Sequence, residues 1–72
     1  MINEKERMIK EKLDFFMNEK VKVHIKRNDR IFWNGHIIKK ISENIFLFNE
    51  IKKGEVYLFI SDIFEIEEYQ ED

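Results

Sequence analysis

Residues 21–41, VKVHIKRNDRIFWNGHIIKKI, restrict the fold more than any other stretch. Val21, Val23 and Ile25 alternate with Lys22, His24 and Lys26, the period-2 pattern of a strand with one buried face. Ile31, Trp33 and Ile37 are the large apolar residues on one parity of a second arm. Directly opposite residues of an antiparallel pair share a face. A two-residue loop at Asn28-Asp29 would set Val23 against Asn34 and His24 against Trp33, mixing the faces. A three-residue loop, Asn28-Asp29-Arg30, sets Ile25 against Trp33, Val23 against Gly35 and Val21 against Ile37, so one face stays apolar. This loop places Arg30 in the left-handed region, at a cost of about 1 kcal/mol for a residue with a side chain. Gly35, in mid-strand, marks a sharp bend or a close backbone approach. A strand bent there can serve two halves of a small barrel.

The flanks complete a mainly β chain. Residues 3–17 read as a helix, with Asn3 as N-cap and Glu6 three positions on, as in a capping box. Ile2, Ile9, Leu13 and Phe16 form its apolar stripe, with Met8 and Met17 at the edges. Asn18 to Lys20 is a short connector. Strands are predicted at about residues 20–27, 31–41, 44–51, 55–61 and 63–69. Turns fall at Ser42-Glu43-Asn44, at Lys52-Lys53-Gly54 and at Ser61-Asp62. One helix and five antiparallel strands at short spacing predict a single domain over residues 1–72, a strongly bent small barrel or a sandwich.

Seven Phe, one Trp and two Tyr in 72 residues are a large aromatic load for so small a core. Residues 56–60 are apolar on both parities, Tyr57 and Phe59 on one and Val56, Leu58 and Ile60 on the other. The short helix stripe cannot also cover Phe32, Phe46, Phe48, Tyr57, Phe59 and Phe64. Self-association is the expected remedy. The chain has no Cys, which excludes disulfides and thiolate metal sites. It has no run near the roughly 20 apolar residues of a membrane span, and residues 1–12 lack a signal-peptide core. The expectation is a soluble, cytoplasmic protein with no membrane partner. Its richness in Lys, Glu and Ile fits a thermophile or an AT-rich genome. Residues 1–40 hold 11 Lys/Arg against 6 Asp/Glu (+5), and residues 41–72 hold 2 against 9 (−7). The two halves are suited to different partners, to each other across subunits, or simply to solvent.

Nothing in the residues favours catalysis. His24 and His36, the only histidines, lie on the outward parity of the hairpin, facing Asn34 and Lys22 in this register, with no carboxylate on the same face near them in sequence. Two His without a third ligand make no metal site, and no cofactor is expected. Glu65, Glu67 and Glu68 read as edge-strand charges that discourage aggregation. The same outward face carries Lys22, His24 and Lys26 opposite His36, Asn34 and Phe32, with Arg27, Arg30, Lys39 and Lys40 at its ends. Cations for phosphates, a ring to stack on a base and an amide to read a base edge are what single-stranded nucleic acid requires. The alternative is a solvated strand face with Phe32 covered by the helix.

The layout resembles the Sm-like superfamily, which includes bacterial Hfq and the archaeal and eukaryotic Sm and Lsm proteins. The residues carrying the resemblance are Val23 and Ile25, the turn at Asp29-Arg30, Trp33 and Ile37 on either side of Gly35, the Ser42-Glu43-Asn44 loop, and residues 59–66, FISDIFEI. It implies an N-terminal helix before five bent strands, and a homo-oligomeric ring of six or seven subunits. In such rings the fourth strand of one subunit pairs with the fifth of the next. It also implies binding of single-stranded, uridine- or adenosine-rich RNA without enzymatic activity. It adds Asn44 and Phe46, near the expected loop, to the RNA-binding candidates Lys22, His24, Lys26, Arg30, Phe32, Asn34 and His36. The expected subunit interface is Tyr57, Leu58, Phe59 and Ile60 against Ile63, Phe64 and Ile66. The chain departs from the family pattern at Arg30, where Gly is usual, at Ser42 near the usual Asp, and at Phe46 in place of Asn. Ile60-Ser61-Asp62 replaces Ile-Arg-Gly, and Val56-Tyr57-Leu58 stands where Hfq has Tyr-Lys-His. Two further functions fit the pattern: an oligomeric protein-interaction scaffold without an RNA pocket, and a monomeric SH3- or Tudor-like module.

Overall fold

The computed structural model describes residues 3–71. Helix α1 spans Glu4–Glu19 and is followed by β1 (Val23–Arg27), β2 (Phe32–Ser42), β3 (Ile45–Glu50), β4 (Gly54–Phe59), a 3₁₀ turn (Ile60–Asp62) and β5 (Ile63–Glu68). All neighbours are antiparallel, in the order β4-β3-β2-β1-β5. The five strands thus form one bent sheet. It is open, with β4 and β5 as its two edges, rather than a hydrogen-bonded closed barrel.

Helix α1 starts where the capping chemistry places it: the Asn3 side chain accepts from the Glu6 N–H at 2.7 Å. It runs two residues past the expected end. Lys20 adopts a left-handed conformation (φ 56°) and the N–H of Val21 returns to the Phe16 carbonyl, a Schellman-type stop that needs no glycine. Ile9 and Leu13 are buried, and Phe16 and Met17 pack against the core. Ile2, the first residue of the expected stripe, lies outside the described residues. The helix packs against β2, β5 and the 3₁₀ turn.

The hairpin register is the one that keeps a single apolar face. Val23 pairs with Gly35, His24 with Asn34, Ile25 with Trp33 and Lys26 with Phe32. Arg30 is left-handed at φ 69°, and the three-residue loop closes through Arg27 N–H to the Ile31 carbonyl. Two details differ from expectation. Ile31 is half exposed, because it lies at the loop exit rather than over the core. The Val21–Ile37 pair and the Lys22–His36 pair do not form, because the β1–β2 ladder stops at Gly35 and β2 passes to β3.

That exchange of partners requires glycine. Gly35 pairs with Val23 on one side and Glu50 on the other, and a Cβ there would lie 1.9 Å from the Asn49 carbonyl oxygen. Beyond it, shifts in register after Ile37 and Lys40 bend β2 further. The bend wraps the sheet around a core of Val23, Ile25, Trp33, Ile37, Phe46, Phe48, Leu58, Ile60, Ile63 and Ile66, with Ile9 and Leu13 from the helix. The Trp33 and Phe48 rings stack with centroids 6.3 Å apart. The Arg27 guanidinium lies 4.3 Å from the centre of the Trp33 ring. On β4 the sheet buries Leu58 and leaves Tyr57 and Phe59 outside, the split of parities read from the sequence.

Because the Gly35 contact is with backbone, no rotamer change can relieve it. Gly35→Ala should lower unfolding free energy by about 3 kcal/mol, the upper end for overpacking. Chemical denaturation would measure this, and an unchanged midpoint would mean that β2 and β3 do not approach as described.

Candidate nucleic-acid interface

The outward parity of the hairpin brings four candidates together. Lys26 stands opposite Phe32 and His24 opposite Asn34. The His24 and Phe32 rings stack diagonally across the strands, 5.0 Å between centroids and 19° from parallel. His24 Nδ1 and Asn34 Oδ1 are 2.5 Å apart, a contact in which the amide oxygen can only accept, so the tautomer with a proton on Nδ1 makes the bond. Phe32 is 51% exposed, and the helix does not cover it. Lys22 lies at the margin, with its Nζ 4.2 Å from the Tyr69 ring centre and 3.7 Å from Glu71.

The other candidates go elsewhere. The bend at Gly35 carries His36 away to pair with Asn49 of β3. Arg30 is at the exposed hairpin tip. Asn44 is exposed in the β2–β3 turn, where its carbonyl accepts from the Ile60 N–H and its own N–H donates to Ser42 Oγ. Phe46 corrects the sequence reading: its side chain has no exposed surface and belongs to the core. Bringing it out to stack on a base would forfeit roughly 1.5–3 kcal/mol of burial. The interface candidates divide likewise. Leu58, Ile60, Ile63 and Ile66 are at most 3% exposed and serve the chain's own core. Tyr57, Phe59 and Phe64 remain on the surface, at 62%, 43% and 48% exposure.

Three acidic residues that sequence reasoning did not connect to this face complete it. On β5, Glu67 stands opposite His24 and Glu65 opposite Lys26, so carboxylates flank the basic strand. Sequence distance hid this, since β1 and β5 are neighbours in space only. The third is Glu50, 5% exposed. Its Oε2 accepts from the Asn34 N–H at 3.1 Å, and its Oε1 accepts from the N–H groups of Lys52 at 2.8 Å and Lys53 at 3.0 Å. Burial pushes its pKa upward, but these three donors and the Lys53 charge outweigh it and hold the carboxyl below its ordinary value. Glu50 thereby fixes the backbone that presents Asn34. A lone acid closing an apolar strand before Lys-Lys-Gly was the available signal. At the far turn, Glu43 accepts from Lys10 at 2.5 Å and lies 3.6 Å from Lys40. The Lys10 contact first, then Lys40, holds its pKa below the ordinary range.

Among the described residues no group of His, Asp and Glu is placed to hold a metal ion, and no helix is long and apolar enough to cross a membrane. No family model, curated protein or solved structure matches the chain.

Glu50 gives a pH test. Its folded pKa lies below the ordinary 4.5, so its contribution is complete above that value and is lost as pH falls through the lower folded value. Glu50→Gln should cost about 1–3 kcal/mol at pH 7, because an amide NH₂ would meet backbone N–H donors. The gap between variant and parent should narrow as pH falls below the ordinary 4.5 and through the lower folded value. A gap that is constant with pH in denaturation curves would exclude an ionised Glu50.

Proposed function

We propose that the chain is an RNA-binding subunit of the Sm-like kind, one that forms a homo-oligomeric ring and takes up single-stranded, uridine- or adenosine-rich RNA. The carrying observation is the half-exposed Phe32 stacked on His24, with the Asn34 amide and Lys26 beside it. A base seated on Phe32 extends an existing stack, and stacking of this kind is worth about 1–3 kcal/mol per base. The strand order supports the assembly. Both edges, β4 and β5, lack a partner strand among the described residues, and each carries exposed aromatic residues. Pairing residues 56–61 of one subunit with 63–69 of the next satisfies both edges, and repetition of this heterologous contact closes a ring.

A second reading, a protein-interaction scaffold with no RNA pocket, is favoured by Glu65 and Glu67. They lie beside the basic strand and repel phosphates.

RNA titration separates the two. Replacing both Lys26 and Phe32 by Ala should weaken binding of an oligouridylate or oligoadenylate by about 5- to 150-fold, the equivalent of one lost stacked base, and leave assembly intact. Parental affinity in the double variant would make the hairpin face a solvated surface. No binding by the parent at low salt would favour the scaffold.

Light scattering at micromolar concentration should give several times the 9.0 kDa chain mass. Tyr57→Asp or Phe59→Asp should dissociate the assembly by placing an unpaired charge in a dry contact. A stable, well-folded monomer would refute the ring.

A further inference from the structure

The hairpin tip forms a pocket lined by Lys26, Arg27, Asn28, Arg30 and Phe64. Its walls are three cations, an amide and a ring. The neighbouring carboxylates Asp29, Asp62 and Glu65 are not among the lining residues. Asp29 and Asp62 both engage Arg27, at 3.2 and 3.8 Å. Lys26 and Arg30 have no ion-pair partner among the described residues.

The pocket is held from two sides. The Asn28 N–H donates to the Asp62 carbonyl at 2.9 Å and its side-chain amide to the Ser61 carbonyl at 2.8 Å, tying the tip to the corner between β4 and β5. On β5, Ile63 pairs with Arg27 and Glu65 with Lys26, so Phe64 is the extra residue of a bulge. Bulges re-aim a side chain, and this one sets the Phe64 ring against the tip, with Lys26 Nζ 5.3 Å from its centre. Arg30 occupies a left-handed position that glycine fills without strain. A guanidinium there carries a local backbone cost that glycine would not, which points to a use for its charge.

We infer that this pocket is a phosphate site. Lys26 and Arg30 take the phosphate oxygens, Arg27, held by Asp29 and Asp62, forms part of the wall, and Phe64 lies against the attached sugar or base. The inference rests on the RNA reading and deepens it: one backbone phosphate of the strand seats at the tip while a base stacks at Phe32. A free phosphate or a mononucleotide presents the same chemistry.

The test records amide NMR shifts of the full chain titrated separately with inorganic phosphate, uridine monophosphate and a ten-residue oligouridylate. All three should move the amides of residues 26–30 and 62–64. Arg30→Gly relieves the left-handed strain, so its Tm should equal or exceed the parent's. It should nevertheless bind oligouridylate more weakly, with a salt slope shallower by about 0.7, as for one lost contact to a single strand. Lys26→Gln should do the same without altering the turn. If both variants keep parental affinity and slope, or if the phosphate probes move only amides elsewhere, the site is overturned. Oligouridylate binding that leaves the tip amides unmoved would remove this site and spare the RNA reading. Phosphate and mononucleotide shifts at the tip, with no oligouridylate binding, would retain the site and remove the RNA reading.

Discussion

At Gly35 the backbones of β2 and β3 come so near that only a hydrogen fits between them, and the rest of the sheet follows from this contact. Before it, β2 belongs with β1; after it, with β3. One strand can bridge two halves of a sheet only if it bends, and it can bend this sharply only without a Cβ. The bend turns Trp33 and Phe48 onto one another and encloses the core. It also leaves Glu50 buried beside the Asn34 backbone, where three N–H donors stabilise its charge. Core and candidate site are thus two consequences of one close approach.

The same wrapping shapes the electrostatics. It carries the last strand back to the first, so the acidic β5 lies against the basic β1. Across β1 and β5 this sets carboxylates beside the hairpin, Glu67 opposite His24 and Glu65 opposite Lys26. The middle of the hairpin face therefore suits stacking and amide recognition better than phosphate binding. At the tip Arg30 lies past the end of the β1–β5 pairing, with no carboxylate of β5 opposite it. On the RNA reading proposed above, base recognition and phosphate recognition would fall to different parts of one surface.

The hairpin was legible in the sequence because its faces constrain the register: of the two-residue and three-residue loops, only the longer keeps Val23, Ile25 and Trp33 on one side. The Asn3 cap, the left-handed Arg30 and the β4 parities were legible for similar local reasons. The limits of pairing were not, because they depend on a third strand. Period 2 alone carries Val21 to Ile37, whereas β3 claims the second half of β2. Phe46 was misplaced because its position came from the family pattern, while its surroundings come from the core. The β5 bulge at Phe64 breaks the alternation of residues 63–69 and explains why Ile63 and Ile66, three apart, are both buried. Pairings between β1 and β5 join residues about 40 apart, and no local pattern reports them.

The ring proposed above requires copies of the chain to meet through β4 and β5, the two edges that lack a partner strand among the described residues. Tyr57 and Phe59, exposed beside the β4 edge, would then be subunit contacts. Amide hydrogen exchange on the full chain at micromolar concentration tests this most directly, because it reads the edge hydrogen bonds themselves. The account predicts that the outward-facing amides of β4 and β5 exchange as slowly as those of the central strands β1 and β2, and that protection is lost on dilution. Rapid exchange along both edges at every concentration, with a protected centre, would contradict it.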